Sequence, residues 1–184
     1  MKTRQRFLIL HLALALLSGC ATVWTVGEVP FIPTPMDVVD RMLDLAEVRK
    51  GDVIYDLGSG DGRIIIRAAK KYGARGVGIE IDPDLVRRSQ AAARREGIDH
   101  LVEFREQDAL KVDVSPATVV TLYMLPGFNE KLRPVLQRQL RPGARVVSHD
   151  FSIEGWTPIR TERLPGEWLH DHTIYLWKIG EQPH

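Results

Sequence analysis

The stretch Asp56-Leu57-Gly58-Ser59-Gly60-Asp61-Gly62 constrains this chain more than any other. It follows a β-branched run, Asp52–Leu57, and precedes a helical pattern, Gly62–Tyr72, in which Ile65, Ile66 and Ala69 are expected to face inward. Glycines between a strand and a helix let the backbone turn tightly and approach a ligand at the carboxyl edge of a sheet. Upstream, Thr34 is expected to cap a helix with Pro35 at its first position, and Val38, Val39, Met42, Leu43 and Ala46 fall on one face of it. Downstream, strands are predicted at Arg75–Ile81, Leu101–Arg105, Ala117–Tyr123 and Ala144–Ser148, with helices at Pro83–Glu96 and Glu130–Leu140. Alternating strands and helices argue a mostly parallel α/β sheet with right-handed crossovers. The end breaks the rhythm: Ile159–Leu164 and Thr173–Ile179 read as strands with no helix between them, so a C-terminal antiparallel hairpin closes the sheet.

Charge identifies the ligand of the loop. A pyrophosphate needs an electropositive helix N-terminus, and Asp56 and Asp61 repel it. The glycine spacing also departs from the dinucleotide pattern, since Gly62 comes one residue early after Gly58 and Gly60. The ammonium and sulfonium of S-adenosylmethionine suit an acidic loop, so that cofactor is expected at Asp56, Gly58, Ser59, Gly60, Asp61 and Gly62. Glu80 ends the second strand at the distance where an acid reaches ribose hydroxyls; its alternative is a strand-end acid in solvent. Asp82 is placed near the adenine edge, and Asp108 to accept from the adenine amino group or to cap a helix.

Together Asp56–Gly62, Glu80 and Asp108 resemble motifs one to three of class I S-adenosylmethionine-dependent methyltransferases, which implies a Rossmann-like class I fold. A tighter resemblance covers most of the chain. Pro33-Thr34-Pro35 with Val38-Val39, Tyr55–Arg63, Thr121–Pro126 and Val147–Phe151 are similar to the small lysine methyltransferases of mitochondria and their bacterial relatives. The mitochondrial enzymes modify the adenine nucleotide translocase and the c-subunit of ATP synthase. The resemblance implies N-methylation of a protein lysine or another amine, with Phe31, Pro33 and Thr34 folding over the methionine end of the cofactor.

Methyl transfer from a sulfonium needs alignment of nucleophile, methyl carbon and sulfur, and exclusion of water. A lysine must also shed a proton first, its reference pKa being about 10.4. Tyr123, at the end of the fourth strand, is the candidate to orient the amine, by its hydroxyl or by cation–π attraction; packing is the alternative. His149 and Asp150 follow the fifth strand and are the other catalytic candidates, to take the proton or to serve as a buried polar pair. Leu122 precedes Tyr123 where base-modifying enzymes carry the second proline of Asp/Asn-Pro-Pro-Tyr, which disfavours DNA bases. With Lys+Arg 25 against Asp+Glu 24 the net charge is +1, so nothing draws the chain to nucleic acid. A single cysteine excludes an internal disulfide and a cysteine-built metal site, and no metal is expected. A monomer is expected.

Residues 1–19 read as a signal peptide of lipoprotein type: Lys2, Arg4 and Arg6, then the apolar run Phe7–Leu17, too short for a bilayer span of about 20 residues. Leu17-Ser18-Gly19-Cys20 resembles the lipobox of bacterial lipoproteins, which makes Cys20 the lipidation site and the bacterial cell envelope the location. Residues 20–30 form a linker and residues 31–184 the methyltransferase domain. A cytoplasmic, membrane-associated form is the alternative. A lipoprotein faces away from the cytosol where the cofactor is made, so a non-catalytic envelope binding module is the competing reading. A nicotinamide-dependent oxidoreductase is disfavoured by the acidic loop and the closing hairpin.

Overall fold

In the computed structural model of the protein, residues 31–166 and 170–181 are described. The elements run α1 (Met36–Leu45), β1 (Val53–Leu57), α2 (Arg63–Tyr72), β2 (Arg75–Glu80), α3 (Pro83–Arg95), β3 (Val102–Glu106), β4 (Val119–Leu122), α4 (Pro126–Gln139), β5 (Arg145–His149), β6 (Arg160–Leu164) and β7 (His172–Lys178). They build one seven-stranded sheet in the order β3-β2-β1-β4-β5-β7-β6. The strands β1 to β5 pair in parallel, and β7 runs antiparallel to both β5 and β6. This is the Rossmann-like class I methyltransferase fold, with the C-terminal hairpin inserted so that β7 lies inside and β6 takes the edge.

Burial on both faces follows from the two-residue period of the strands. Ile54, Val119 and Val147 pack with Val38, Met42, Ile65 and Val86 on the face covered by α1, α2 and α3. Their neighbours Tyr55, Val120 and Val146 point the other way, to Leu132 and Leu136 of α4 and to Trp156 and Trp177. Strand order reverses between β1 and β4, where Leu57 lies in register with Leu122. In open α/β sheets, ligands bind at the carboxyl ends of strands at such a switch point. Gly58 and Tyr123, the residues that follow those two strand ends, therefore flank the cleft.

Three local expectations are corrected. Thr34 does not cap α1: Pro35 occupies the cap position without a side-chain hydrogen bond, because the Thr34 hydroxyl is engaged by His149 instead. In α2 the inward residues are Ile64, Ile65, Ala68 and Ala69, while Ile66 is only partly buried; the helix begins at Arg63 after Gly62, which has φ +78°. Helix α4 begins at Pro126, not Glu130, since a proline at the first turn gives up an N–H that has no intrahelical partner there. The signal peptide, Cys20 and the linker lie outside the described residues. Among the described residues no helix is long and apolar enough to cross a membrane.

Candidate active site

The glycine loop is held from below by β2. The amides of Gly58 and Ser59 both donate to the Ile79 carbonyl, at 2.8 and 2.9 Å. Gly58, Gly60 and Gly62 all have positive φ, of +82°, +53° and +78°. A side chain at Gly58 would meet Met124 Sδ at 2.6 Å, and one at Gly60 would meet the ring of Phe31. The loop thus presents bare backbone to the cleft, a cradle that any Cβ would fill.

The predicted acids divide by what they touch. Glu80 sits across the loop, its Oε2 accepting from Gly60 N at 2.8 Å and its Oε1 from Ile81 N and Asp82 N at 2.8 and 3.0 Å. Three amides fix the carboxylate at the carboxyl end of β2, the position a ribose-binding acid requires. Asp61 is not free, because Arg63 binds it through Nε (2.9 Å to Oδ1) and Nη2 (2.6 Å to Oδ2). Asp82 caps α3 by accepting from Asp84 N at 2.7 Å, and Asp108 accepts from Leu110 N at 2.9 Å. Both stand in local turns at the same edge of the sheet. Ser59 is buried with its hydroxyl unpartnered.

Asp56 lies under the loop, buried, with the Thr121 hydroxyl donating to its Oδ1 at 2.7 Å. Burial pushes this carboxyl up to about 7, helped by the negative charges of Glu80 and Asp61 and opposed by the Thr121 hydrogen bond. A group so poised responds to any positive charge placed above it. Residues and ligand chemistry therefore fit: an uncharged glycine cradle ringed by acids accepts the ammonium and sulfonium of S-adenosylmethionine.

Arg63 carries no signal of its own in the sequence. Beyond Asp61 it donates from Nη1 to the Thr34 carbonyl at 2.8 Å, tying the segment before α1 to the loop. With the Phe31 ring against Gly60, this draws residues 31–34 to the cleft as a lid over it requires. Thr34 itself is buried and meets the second half of the site, its Oγ1 lying 3.2 Å from His149 Nδ1.

That second half gathers all three catalytic candidates. The Tyr123 ring lies 4.0 Å from the His149 ring and stacks at 6.0 Å with Phe151. His149 is fully buried, and burial lowers it to about 4, so it is neutral at pH 7. Asp150 has φ +57°, a left-handed conformation that Asp tolerates better than most residues. Burial alone raises its carboxyl, but hydrogen bonds from His170 and from Thr173 N, at 2.8 and 2.9 Å, hold it below the ordinary value. Burial and the nearby Asp150 charge raise the Tyr123 hydroxyl, which stays protonated. His172, the first residue of β7, and His170, two residues before it, are silent in the sequence because only the antiparallel pairing of β7 with β5 brings them here. Asn129 of α4 fixes the adjoining loop by donating to the Phe151 and Ser152 carbonyls, both at 3.3 Å. A cavity of about 360 Å³ is lined by Glu130, Asp150, Phe151, Glu154 and Tyr175 among others, and its Phe151 wall is the ring that stacks on Tyr123.

A seven-stranded sheet with this terminal hairpin, a glycine cradle at the switch point and an acid at the end of β2 define a class I methyltransferase. Residues 56–160 match the model of the ANTKMT methyltransferase domain family, and the chain belongs to that family. It is 44% identical over 157 residues to a protein-lysine N-methyltransferase of Saccharolobus islandicus, covering 85% of this chain and 97% of the relative. It is 34% identical over 147 residues to the adenine nucleotide translocase lysine N-methyltransferase of Mus musculus, covering 78% of this chain and 63% of that protein. Among solved structures, an RNA methyltransferase from Salinibacter ruber in complex with S-adenosyl-L-homocysteine is 57% identical, with a TM-score of 0.79 over 83% of this chain and 97% of that one. The protein is a methyltransferase that uses S-adenosylmethionine. These likenesses give no support to the non-catalytic binding module.

Proposed function

We propose that the chain transfers the methyl group of S-adenosylmethionine to the ε-amine of a protein lysine. The observation that carries this reading is a cavity where Glu130, Asp150 and Glu154 meet the rings of Phe151 and Tyr175, with Phe151 stacked on Tyr123 at 6.0 Å. Carboxylates draw in a cationic side chain, and aromatic rings hold its methylene stem and its methylated head. S-adenosylmethionine supplies a methyl carbon made electrophilic by the sulfonium, whose sulfur leaves as a neutral thioether. The amine lone pair forms the new N–C bond as the C–S bond breaks, and one proton leaves the nitrogen.

Neither neighbour is a strong proton acceptor at pH 7. His149 is neutral with a basicity lowered to about 4, and Asp150 is held ionised. Tyr123, stacked on Phe151 of the cavity wall, is the group that aims the amine, whose proton passes to solvent before attack. Glu80, fixed by three amides, binds the ribose, and Asp56 answers the cofactor's positive charge.

The name of the Salinibacter neighbour motivates a second reading, methyl transfer to RNA. A cavity lined by three carboxylates repels a phosphate backbone, and a net charge of +1 offers no compensating field. Lysine is the better fit. Replacing Glu130 and Glu154 together by Gln should raise KM for a lysine-rich protein acceptor several-fold while leaving S-adenosylmethionine affinity unchanged. An unchanged KM would remove the cavity from acceptor binding.

The lipid anchor on Cys20, the envelope location and the monomeric state remain part of the proposal on the strength of the sequence. Cys20→Ser should release the protein from membranes, and continued attachment would exclude lipidation as the anchor.

A further inference from the structure

Three histidines and one carboxylate converge where β5 ends beside the start of β7. His149 Nε2 lies 2.9 Å from His172 Nδ1 and 3.2 Å from Asp150 Oδ2, and His172 Nδ1 lies 3.6 Å from the same oxygen. His170 Nε2 reaches Asp150 Oδ2 from the outside at 2.8 Å. Among the described residues, His149, Asp150 and His172 form a group whose ligand atoms all lie within 4.8 Å of one another. We propose that His149, Asp150 and His172, with His170 as the outer fourth donor, bind one divalent transition-metal ion of the zinc class beside the methyl-acceptor site.

The spacing fits such an ion. Nitrogen and oxygen donors at about 2.0–2.1 Å from tetrahedral zinc stand about 3.3 Å from one another. The three inner separations bracket that value. The donor set is also selective. Imidazoles with one carboxylate suit zinc, cobalt, nickel or iron, whereas calcium and magnesium take oxygen donors almost throughout.

What surrounds the donors prepares them for an ion. His149 Nδ1 lies 3.2 Å from Thr34 Oγ1, so a proton on Nδ1 leaves the Nε2 lone pair directed at the cluster. Asp150 Oδ1 is occupied by Thr173 N at 2.9 Å, which leaves Oδ2 to face the three histidines. The left-handed backbone of Asp150 is a further sign, since conformations of this kind persist where the surroundings demand a particular side-chain direction. The cluster contains no cysteine and spans residues 149 to 172, so no short ligand motif announces it.

The test uses the full chain without a polyhistidine tag, stripped with a chelator and then titrated with Zn²⁺ or Co²⁺, with Mg²⁺ as control. The expected result is one equivalent of Zn²⁺ retained after desalting, a visible absorption band with Co²⁺, and a Tm raised by several degrees by either ion but not by Mg²⁺. His172→Gln should weaken Zn²⁺ binding at least tenfold while keeping the Tm rise produced by S-adenosylmethionine, which shows that the variant is folded. Should His172→Gln fail to fold, the exposed His170→Gln serves in its place, with weaker Zn²⁺ retention expected. A chelator-treated wild-type protein that responds to S-adenosylmethionine but to neither metal would overturn the proposal. So would equal Zn²⁺ retention by wild type and both variants. Neither outcome bears on the methyl acceptor, because the metal measurements involve no transfer.

Discussion

Asp56 on β1 and Thr121 on β4 face each other in register across the switch point, and the Thr121 hydroxyl donates to Asp56 Oδ1 at 2.7 Å with both side chains buried. This pair places a carboxyl of raised basicity directly beneath the glycine cradle. Asp56→Asn keeps the shape and an acceptor for Thr121 but removes the charge. At pH 8 the variant, free of the buried charge, should show a higher ligand-free Tm yet bind S-adenosylmethionine at least tenfold more weakly, by calorimetry. Unchanged affinity would make the pair a strut between strands and nothing more.

The same residue sets the pH dependence of stability, in opposition to His149. Asp56 titrates near 7 when folded and near 3.9 when unfolded. Between those values the native state holds a proton the unfolded chain has lost, and stability falls as pH rises. His149 titrates near 4 when folded and near 6.5 when unfolded, so between those values the unfolded chain holds the extra proton and stability rises with pH. The two contributions offset each other in the wild type. In chelator-treated Asp56→Asn only the histidine remains, and Tm between pH 4.5 and 6.5 should climb more steeply with pH than in the wild type treated in the same way. Parallel profiles would mean that Asp56 titrates at an ordinary value.

Away from the cleft, Arg145 pairs with Asp52, and the pair closes the opposite ends of β5 and β1. Thr118 Oγ1 donates to the same carboxylate at 2.7 Å and Arg49 N at 2.9 Å, and Arg145 also reaches the Ala46 carbonyl at 2.8 Å. Asp52→Ala leaves the guanidinium largely buried without its counter-ion. A loss of about 3 kcal/mol in denaturant unfolding is expected, with cofactor affinity intact. A loss below about 1 kcal/mol would place the pair with exposed ion pairs.

Tyr123→Phe keeps the stacking on His149 and Phe151 and removes only the hydroxyl. The expected effect is a kcat lowered tenfold or more with S-adenosylmethionine affinity unchanged, measured by single-turnover transfer. A normal rate would reduce Tyr123 to packing.

The parts of this fold that the sequence discloses are those decided locally. A β-branched run followed by alternating small and acidic residues forces a strand, a tight turn and a helix whatever lies around it, and the cradle from Gly58 to Gly62 is legible for that reason. The hairpin is legible because no helical period separates its strands. What escapes are relationships across long separations. Thr34 appears as a helix cap from its neighbours, yet its hydroxyl is taken by His149, 115 residues away. Arg63 enters the sequence reading only as the end of the Tyr55–Arg63 stretch, and its link to the Thr34 carbonyl forms only when the segment before α1 folds back onto it. His170 and His172 acquire meaning only when β7 inserts between β5 and β6. Asp61 and Asp82, chosen for their charge, prove to be shared with Arg63 and with the start of α3.

The most direct measurement supplies S-adenosylmethionine labelled in its methyl group to the full chain, together with protein and RNA fractions, and locates the label after hydrolysis. The expected result is label on lysine ε-nitrogen in protein, lost in Glu80→Ala and absent from RNA. Label in RNA with none on lysine, or no transfer to either from a protein that binds the cofactor, would contradict assignment of the chain as a protein-lysine N-methyltransferase.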